Sequence, residues 1–163
     1  MEKLLRNFEW IVRRAGQFTE ARGELQGGLH PFEERNVHPA LPKVVRSLFD
    51  NGHYSQSTFE AFKFIDKEVQ RHSGSTEAGF KLMMQVFPEA SPVIKLTPLK
   101  TASEKDEQKG FQFLFAGSVM AIRNPRGHEV AVNDSPDQCL DYLALASLLL
   151  RRLEEAGHKC NAP

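Results

Sequence analysis

The chain has 163 residues, and its 21 Lys and Arg are balanced by 21 Asp and Glu, so that the formal net charge at pH 7 is zero. This length suits one compact domain, and the charge balance excludes a general electrostatic attraction to nucleic acid or anionic lipid, so that any RNA contact must be local. Two cysteines are too few for a disulfide framework and no apolar run reaches the about 18 residues of a membrane helix, so we expect a reduced, cytoplasmic protein with no membrane partner.

The first element is a predicted amphipathic helix from about Glu2 to Arg22, because its apolar residues recur at helical spacing on one face. A connector rich in Gly and Pro follows from Gly23 to Pro39, and its two His-Pro steps disfavour helix just before each proline. We therefore expect an N-terminal helix and connector over residues 1–37, a helical bundle over residues 38–157, and a flexible tail over residues 158–163.

Three helices are predicted in the first half of the bundle. An apolar stripe from Leu41 to Phe49 ends at Asn51-Gly52, a second and longer stripe from Tyr54 to Val69 ends at Gly74, and a shorter helix covers Thr76 to Phe87. The proline-rich segment that follows is predicted as a loop with a small extended piece at Val93 to Leu96.

Two capping boxes predict the starts of the last two long helices. Thr101 with Glu104 opens a helix of about six turns that reaches Ile122, and Ser135 with Gln138 opens a helix that reaches Leu153. Long amphipathic helices joined by short links indicate an all-α, up-and-down bundle in which these two helices run antiparallel.

The segment between these helices reads IRNPRGHEV and contains the candidate site. Pro125 disfavours helix at Asn124, so we expect the helix to end or kink at Arg123, with His128 folding back toward that arginine. Arginine and histidine together suit cleavage of RNA by its own 2′-hydroxyl group, because imidazole can take or give a proton and guanidinium can stabilise phosphate. This chemistry needs no metal ion. One histidine cannot easily make both proton transfers, so we expect a two-fold dimer with a composite site.

The spacing alone leaves a structural interpretation open. Arginine precedes histidine at similar distances elsewhere in the chain, and Arg123 and His128 could simply be a cation at a helix end and a loop histidine, with Arg126 solvated. Glu60 either belongs to a charged helix exterior or orients the site from a neighbouring helix. A zinc site is disfavoured, because His30 and His38 have no cysteine or acid at ligand spacing. Three phenylalanines outside the main stripes predict a second buried helix face such as a dimer surface: Phe59, Phe64 and Phe113.

The sequence RNPRGH resembles the Arg-polar-x-x-x-His signature of HEPN-domain ribonucleases. Four blocks between His38 and Ala156 are also similar to the bacterial Ymh family, a branch of the HEPN superfamily. The resemblance implies a helical bundle, a two-fold dimer with facing motifs, and often a place in phage-defence or toxin–antitoxin loci. Carried over to this sequence, Arg123 and His128 form the catalytic pair and Asn124 is the adjacent polar helper.

These observations predict an endoribonuclease of the HEPN type that needs no cofactor and acts as a toxin or effector in phage defence. RNA is the expected substrate, Arg126 and Glu60 are the further residues expected to bind it, and an antitoxin or defence protein is a possible partner. The alternative is a non-catalytic helical module that binds RNA or a partner in a defence complex. The zero net charge favours this alternative, because a nuclease of free RNA usually carries a basic groove.

Overall fold

The computed structural model describes residues 28–129 and 132–161, and within these ranges the chain is helical and contains no strand. This confirms the predicted all-α class and the helical bundle. A compact unit begins at Pro31, whereas the predicted helix from Glu2 to Arg22 lies outside the described residues. The helices are α1 (Pro31–Glu34), α2 (Lys43–Asp50), α3 (Tyr54–Ser73), α4 (Gly79–Val86), α5 (Ala102–Ser118), the π-helical turn (Val119–Arg123), α6 (Asn124–His128) and α7 (Pro136–Glu155).

Helix α3 is the centre of the bundle, because it packs against α2, α4, α6, α7 and the π-helical turn. Its inner face consists of fully buried apolar side chains such as Phe62, Ile65 and Val69. The two long helices that are expected to run antiparallel have their main contacts with other helices, since α5 packs on α4 and α7 packs on α3. None of the helices in the described part of the chain has the length and apolar character needed to span a membrane.

The predicted helix ends agree closely with the structure where capping residues define them. Both capping boxes are formed, with the Thr101 hydroxyl accepting from the Glu104 N–H at 3.2 Å and Ser135 serving α7 in the same way. Gly74 ends α3 in the left-handed conformation with a φ of 66°. Helix α4 begins at Gly79 rather than Thr76, and the predicted connector contains the short helix α1.

The loop between α4 and α5 is held by the side chain of Gln108 rather than by a strand. The fully buried amide of Gln108 accepts from the Leu96 N–H at 2.7 Å and donates to the Phe87 and Ile94 carbonyls at 3.1 Å each. The Val93 N–H donates to the Val86 carbonyl at 2.9 Å. Because these groups satisfy the loop backbone, the loop packs on the core without the extended piece predicted at Val93 to Leu96.

The residues after α7 pack on α3, although the sequence predicts a flexible tail from residue 158. Arg71 donates to the Lys159 carbonyl at 2.6 Å, and the Asn161 N–H donates to Glu68 at 3.3 Å. Cys160 lies within this segment and its side chain is buried. Burial raises the pKa of the Cys160 thiol to about 12. Burial also raises the pKa of Cys139, so both thiols stay protonated and unreactive near neutral pH.

Candidate functional site

The backbone at the candidate site is a continuous helix rather than the predicted break at Arg123. Arg123 and Asn124 both have helical dihedrals, and the Asn124 N–H donates to the carbonyl of Val119 across the five-residue π-helical turn. A π-helical turn holds one residue more than an α-helical turn, which loosens the backbone next to Pro125 and leaves room for a ring that would clash in a regular α-helix. Of the two outcomes expected at Arg123, an end of the helix is wrong, because the helix accommodates Pro125 through a wider, irregular turn.

The continuous helix changes the relation between Arg123 and His128. Side chains five residues apart on an α-helix point about 140° apart around its axis. His128 therefore does not fold back onto Arg123, as the predicted break would have allowed. Arg123 is half-buried against α3, whereas His128 is exposed at the end of α6. One chain presents the two groups on different sides of the same short helix.

Arg123 lies between Asn124 and the ring of Phe59. Its Nη1 donates to the Asn124 side-chain oxygen at 3.1 Å, and its guanidinium carbon lies 5.7 Å from the Phe59 ring centroid. Its Nε is buried and has no hydrogen-bond partner among the described residues. Arg152 has a similar buried Nε, but its guanidinium is paired with Glu107 and Glu155.

Arg123 has no carboxylate partner in the part of the chain that the structure describes, so its charge is available for an anion. A buried guanidinium N–H without an acceptor is uncommon, because buried donors are normally satisfied. Oxygen atoms of a phosphate group are well suited to this donor, since guanidinium binds them through paired hydrogen bonds.

His128 is the last residue of α6 and is exposed to solvent. Its imidazole makes no hydrogen bond or ion pair within residues 28–129 and 132–161. The helix ends directly after it, where the Glu129 N–H donates to the Pro125 carbonyl at 2.9 Å and Glu129 adopts an extended conformation. The imidazole is therefore free to exchange a proton with a bound ligand, as a general acid or base must be.

Arg126 is the side chain that anchors this turn. Its Nε and Nη2 donate to the two carboxylate oxygens of Asp134 at 2.7 and 2.5 Å, and its Nη1 donates to the Ile122 carbonyl at 2.7 Å. The side chains of Arg126 and Asp134 are only 6% and 4% exposed. The expected binding of RNA by Arg126 has no support in this arrangement, because its guanidinium is buried and each of its donor nitrogens is engaged.

Two further contacts set the electrostatics of Arg126. Its guanidinium carbon lies 4.4 Å from the centroid of the Tyr142 ring, a favourable cation–π distance. Burial on its own lowers the pKa of Arg126, but hydrogen bonds to Asp134 and Tyr142 outweigh it and raise the pKa above its usual range. The group is therefore a permanent charge that holds Asp134 in place.

Asp134 connects the candidate site to α3 and was not singled out in the sequence. Its carboxylate accepts from the Thr58 hydroxyl at 3.1 Å, and its backbone N–H donates to the Ser55 hydroxyl at 2.8 Å. Ser55 and Thr58 lie in the first turns of α3. The sequence does place Asp134 close to Arg126, just before the capping box of α7, and this proximity could have drawn attention to Asp134.

Gly127 allows α6 to lie directly on the ring of Phe59. A Cβ atom at residue 127 would be 2.9 Å from Cε2 of Phe59, closer than nonbonded carbon atoms approach. Phe59 thus contacts both ends of the site, with Gly127 on one side and the guanidinium of Arg123 on another. Its position outside the main apolar stripe of α3 is explained by this contact with α6.

Replacing Gly127 with Ala should destabilise the protein by about 1 kcal/mol, because the strain of overpacking, about 1–3 kcal/mol, exceeds the gain in helix propensity. Chemical denaturation measures this change in the free energy of unfolding. The loss should shrink when Phe59 is also replaced by Ala. Gly110→Ala is the matched control, since a Cβ there meets nothing within 4 Å, and that variant should be neutral or more stable. An equal loss in both glycine variants would contradict the contact with Phe59.

Other residues considered in the sequence lie elsewhere in the fold. Glu60 forms an ion pair with Lys63 at 3.0 Å, as the charged-exterior interpretation expects, and the binding of RNA by Glu60 stays a prediction. Phe64 is buried in the core, whereas Phe113 is exposed. In the described part of the chain, no group of three His, Cys, Asp or Glu side chains is placed to hold a metal ion.

The chain matches a known protein family over most of its length. A family model described as "Protein of unknown function (Hypoth_ymh)" matches residues 35–153, which include α2 to α6, nearly all of α7 and the whole candidate site. No curated protein and no solved structure shows significant similarity to the chain. The family match covers the bundle but carries no description of an activity.

Proposed function

The chain belongs to the Hypoth_Ymh family, and we propose that it is an endoribonuclease of the HEPN type that cleaves RNA by attack of the neighbouring 2′-hydroxyl group. One observation carries this proposal. An exposed imidazole without a partner among the described residues, that of His128, lies at the end of α6, and Arg123, whose guanidinium has a buried N–H without an acceptor, lies directly before the first residue of α6. A proton carrier and a phosphate ligand are the two groups that this reaction requires.

The reaction proceeds in one displacement at phosphorus. A neutral imidazole of His128 removes the proton from the 2′-hydroxyl group, and the 2′-oxygen attacks the adjacent phosphorus atom. The bond from phosphorus to the 5′-oxygen breaks, and a protonated imidazole gives that oxygen its proton. The products are a 2′,3′-cyclic phosphate and a free 5′-hydroxyl group, and no metal ion takes part.

Arg123 stabilises the charge that grows on the phosphate oxygens during this displacement. Its guanidinium is held in place by the Asn124 side chain and by the ring of Phe59. A guanidinium that is already held in place stabilises the transition state more effectively than a mobile one, because a mobile arginine would lose conformational entropy during the reaction. Asn124 thus acts through Arg123, as a positioning residue.

Two copies of the chain form the complete site in this proposal. A single chain offers only one imidazole at this site, that of His128, and Arg123 points to a different side of the helix. Two-fold symmetry brings a second His128, so that one imidazole acts as the base and the other as the acid. In the cell, such an enzyme would serve as a toxin or effector in phage defence, restrained by an antitoxin or another defence protein.

The alternative, a non-catalytic module that binds RNA or a protein partner, is favoured by one observation. The net charge of the chain is zero, whereas nucleases of free RNA commonly have a basic groove. The test below separates the two, because a binding module would retain RNA without cutting it.

The test uses a short RNA and the same sequence with one 2′-deoxy nucleotide at each cleaved position. The purified protein should cut the RNA, leave 2′,3′-cyclic phosphate ends, and fail to cut at each deoxy position, because the nucleophile is missing there. Mass spectrometry of the fragments identifies the ends. Cleavage at a deoxy position, or 3′-hydroxyl ends, would rule out the proposed chemistry.

A further inference from the structure

We propose that an outer groove of α3 binds single-stranded RNA and holds the nucleotides next to the bond that is cleaved. We call this surface the α3 groove. It begins at the ring of Phe59 and continues into a cavity of about 440 Å³. The lining of this cavity includes Pro42, Lys63, Phe64, Lys67 and Arg71. The inference rests on the proposed function for the role of the strand as a substrate, whereas the binding of a strand follows from the groove itself.

The α3 groove begins beside the arginine that binds the cleaved phosphate in the proposed reaction. The guanidinium carbon of Arg123 lies 5.7 Å from the ring centroid of Phe59, and the ammonium nitrogen of Lys63 lies 5.9 Å from the same centroid. Lys63 in turn lines the cavity. The candidate site and the cavity are therefore neighbours, connected by two cations that contact one aromatic ring.

The basic side chains of the groove follow one line along α3. Lys63, Lys67 and Arg71 recur at intervals of four residues, so they lie on one side of the helix and about 6 Å apart along its axis. Consecutive phosphate groups of an extended nucleic-acid strand have a similar separation. A strand whose cleaved phosphate lies at Arg123 can therefore place its next phosphates beside these side chains.

Lys67 is the cation of the cavity that is most available to a phosphate group. The carboxylates of Glu60 and Glu68 pair with the other two basic side chains, at 3.0 and 2.5 Å. Lys67 has no carboxylate partner in the part of the chain that the structure describes, and its ammonium donates to the amide oxygen of Gln70 at 2.9 Å. The cavity thus keeps a local positive charge, although the net charge of the chain is zero.

The remaining surface of the cavity is mostly apolar and suits a nucleobase. Phe64, which is only 7% exposed, and Pro42 supply this surface, and the volume falls in the range of small-ligand sites, about 300–1,000 Å³. Unpaired bases bind proteins by stacking on aromatic and apolar groups while cations contact the phosphates. A duplex cannot use such a cavity, because its bases are stacked inside the helix. The combination of an apolar cavity with a line of cations therefore favours a single strand.

The α3 groove contributes to substrate binding rather than to the displacement at phosphorus. Its side chains contact nucleotides beside the cleaved bond, and these contacts are the same before the reaction and in the transition state. Loss of such a contact raises KM and leaves kcat unchanged. Lys67→Ala should therefore raise the KM of a long RNA without lowering its kcat.

The experiment measures the binding of a fluorescent single-stranded DNA of about 12 nucleotides by anisotropy. This probe has no 2′-hydroxyl group, so binding is separated from cleavage. Lys67→Ala should weaken binding about 5- to 10-fold. It should also lower the slope of log Kd against log salt concentration by about 0.7, the value for one phosphate contact of a single strand.

Lys105→Ala is the matched control for this change. Lys105 is also exposed and forms no ion pair among the described residues, but it lies on α5 and outside the groove. Its replacement should leave the affinity and the salt dependence unchanged, and both variants should keep a helical circular dichroism spectrum. Equal losses in the two variants, or no binding of the strand by the unchanged chain, would overturn the α3 groove.

A second probe tests the cavity, and cleavage separates the two proposals. A strand with abasic nucleotides keeps its phosphates but has no bases, so it should bind more weakly, and equal binding would overturn the base cavity. Tighter binding of an acidic peptide than of the strand would assign the groove to a protein partner and overturn the inference. If the chain binds the strand through Lys67 but cuts no RNA, the groove stands and the proposed function fails. If Lys67→Ala cuts a long RNA with unchanged KM, the proposed function stands and the groove fails.

Discussion

Replacing His128 with Ala should lower the rate of RNA cleavage by about 10²- to 10⁴-fold, the range that a general acid or base contributes. In the proposed dimer, this one change removes both proton carriers, so we expect the upper part of the range. The fold should be unaffected, because the His128 side chain is exposed and makes no hydrogen bond among the described residues. The free energy of unfolding should change by less than about 0.5 kcal/mol.

Single-turnover cleavage of a labelled RNA measures this effect, with thermal unfolding as the measure of the fold. His53→Ala is the matched control, since His53 is also exposed and stands directly before the first residue of α3. That variant should cut RNA at the unchanged rate. Full activity in His128→Ala would mean that another group transfers the protons, and the proposed mechanism would be wrong.

Replacing Asp134 with Ala should destabilise the protein by about 3–5 kcal/mol, the cost of leaving one partner of a buried ion pair alone. Arg126 would remain charged and buried after this change, because its side chain is only 6% exposed. The Thr58 hydroxyl would also lose its acceptor on Asp134. The turn that carries Arg123 and His128 would lose its anchor on α3, so RNA cleavage should fall together with stability.

Urea denaturation at one fixed protein concentration measures this change. Asp141→Ala is the matched control on α7, which begins just after Asp134, because Asp141 pairs with Arg35 at 3.3 Å in an exposed position. Loss of such a surface pair should cost less than about 1 kcal/mol. Replacing both Arg126 and Asp134 with Leu should cost less than Asp134→Ala alone, since no charge is left buried. Equal costs for Asp134→Ala and Asp141→Ala would show that the buried pair contributes little.

The bundle was predictable where local chemistry decides the structure. The capping boxes at Thr101 and Ser135, and the glycine at residue 74, define helix ends through contacts within one turn of the chain. Apolar spacing then identified the inner face of α3, whose residues are fully buried. These signals depend on neighbouring residues, so they can be read without knowledge of the tertiary structure.

The geometry of the candidate site was not predictable in the same way, because contacts between distant segments determine it. Pro125 favours a break when its neighbours alone are considered, but packing of the π-helical turn and α6 on α3 keeps the helix continuous. The pairing of Arg126 with Asp134 joins α6 to the start of α7, and the sequence shows only that the two residues are close along the chain, not that they form a pair. Arg123 and His128 could be selected from the motif, whereas the directions of their side chains could be determined only from the tertiary structure.

The extra residue of the π-helical turn changes the direction in which the following side chains point around the helix axis. One residue corresponds to about 100° of rotation on an α-helix, so every side chain after Val119–Arg123 is offset by that angle from the line set by α5. Deleting a single residue there would convert the wide turn into a regular α-helical turn, in which the ring of Pro125 would clash with the carbonyl one turn before it. The number of residues in this segment is therefore as tightly constrained as their identity.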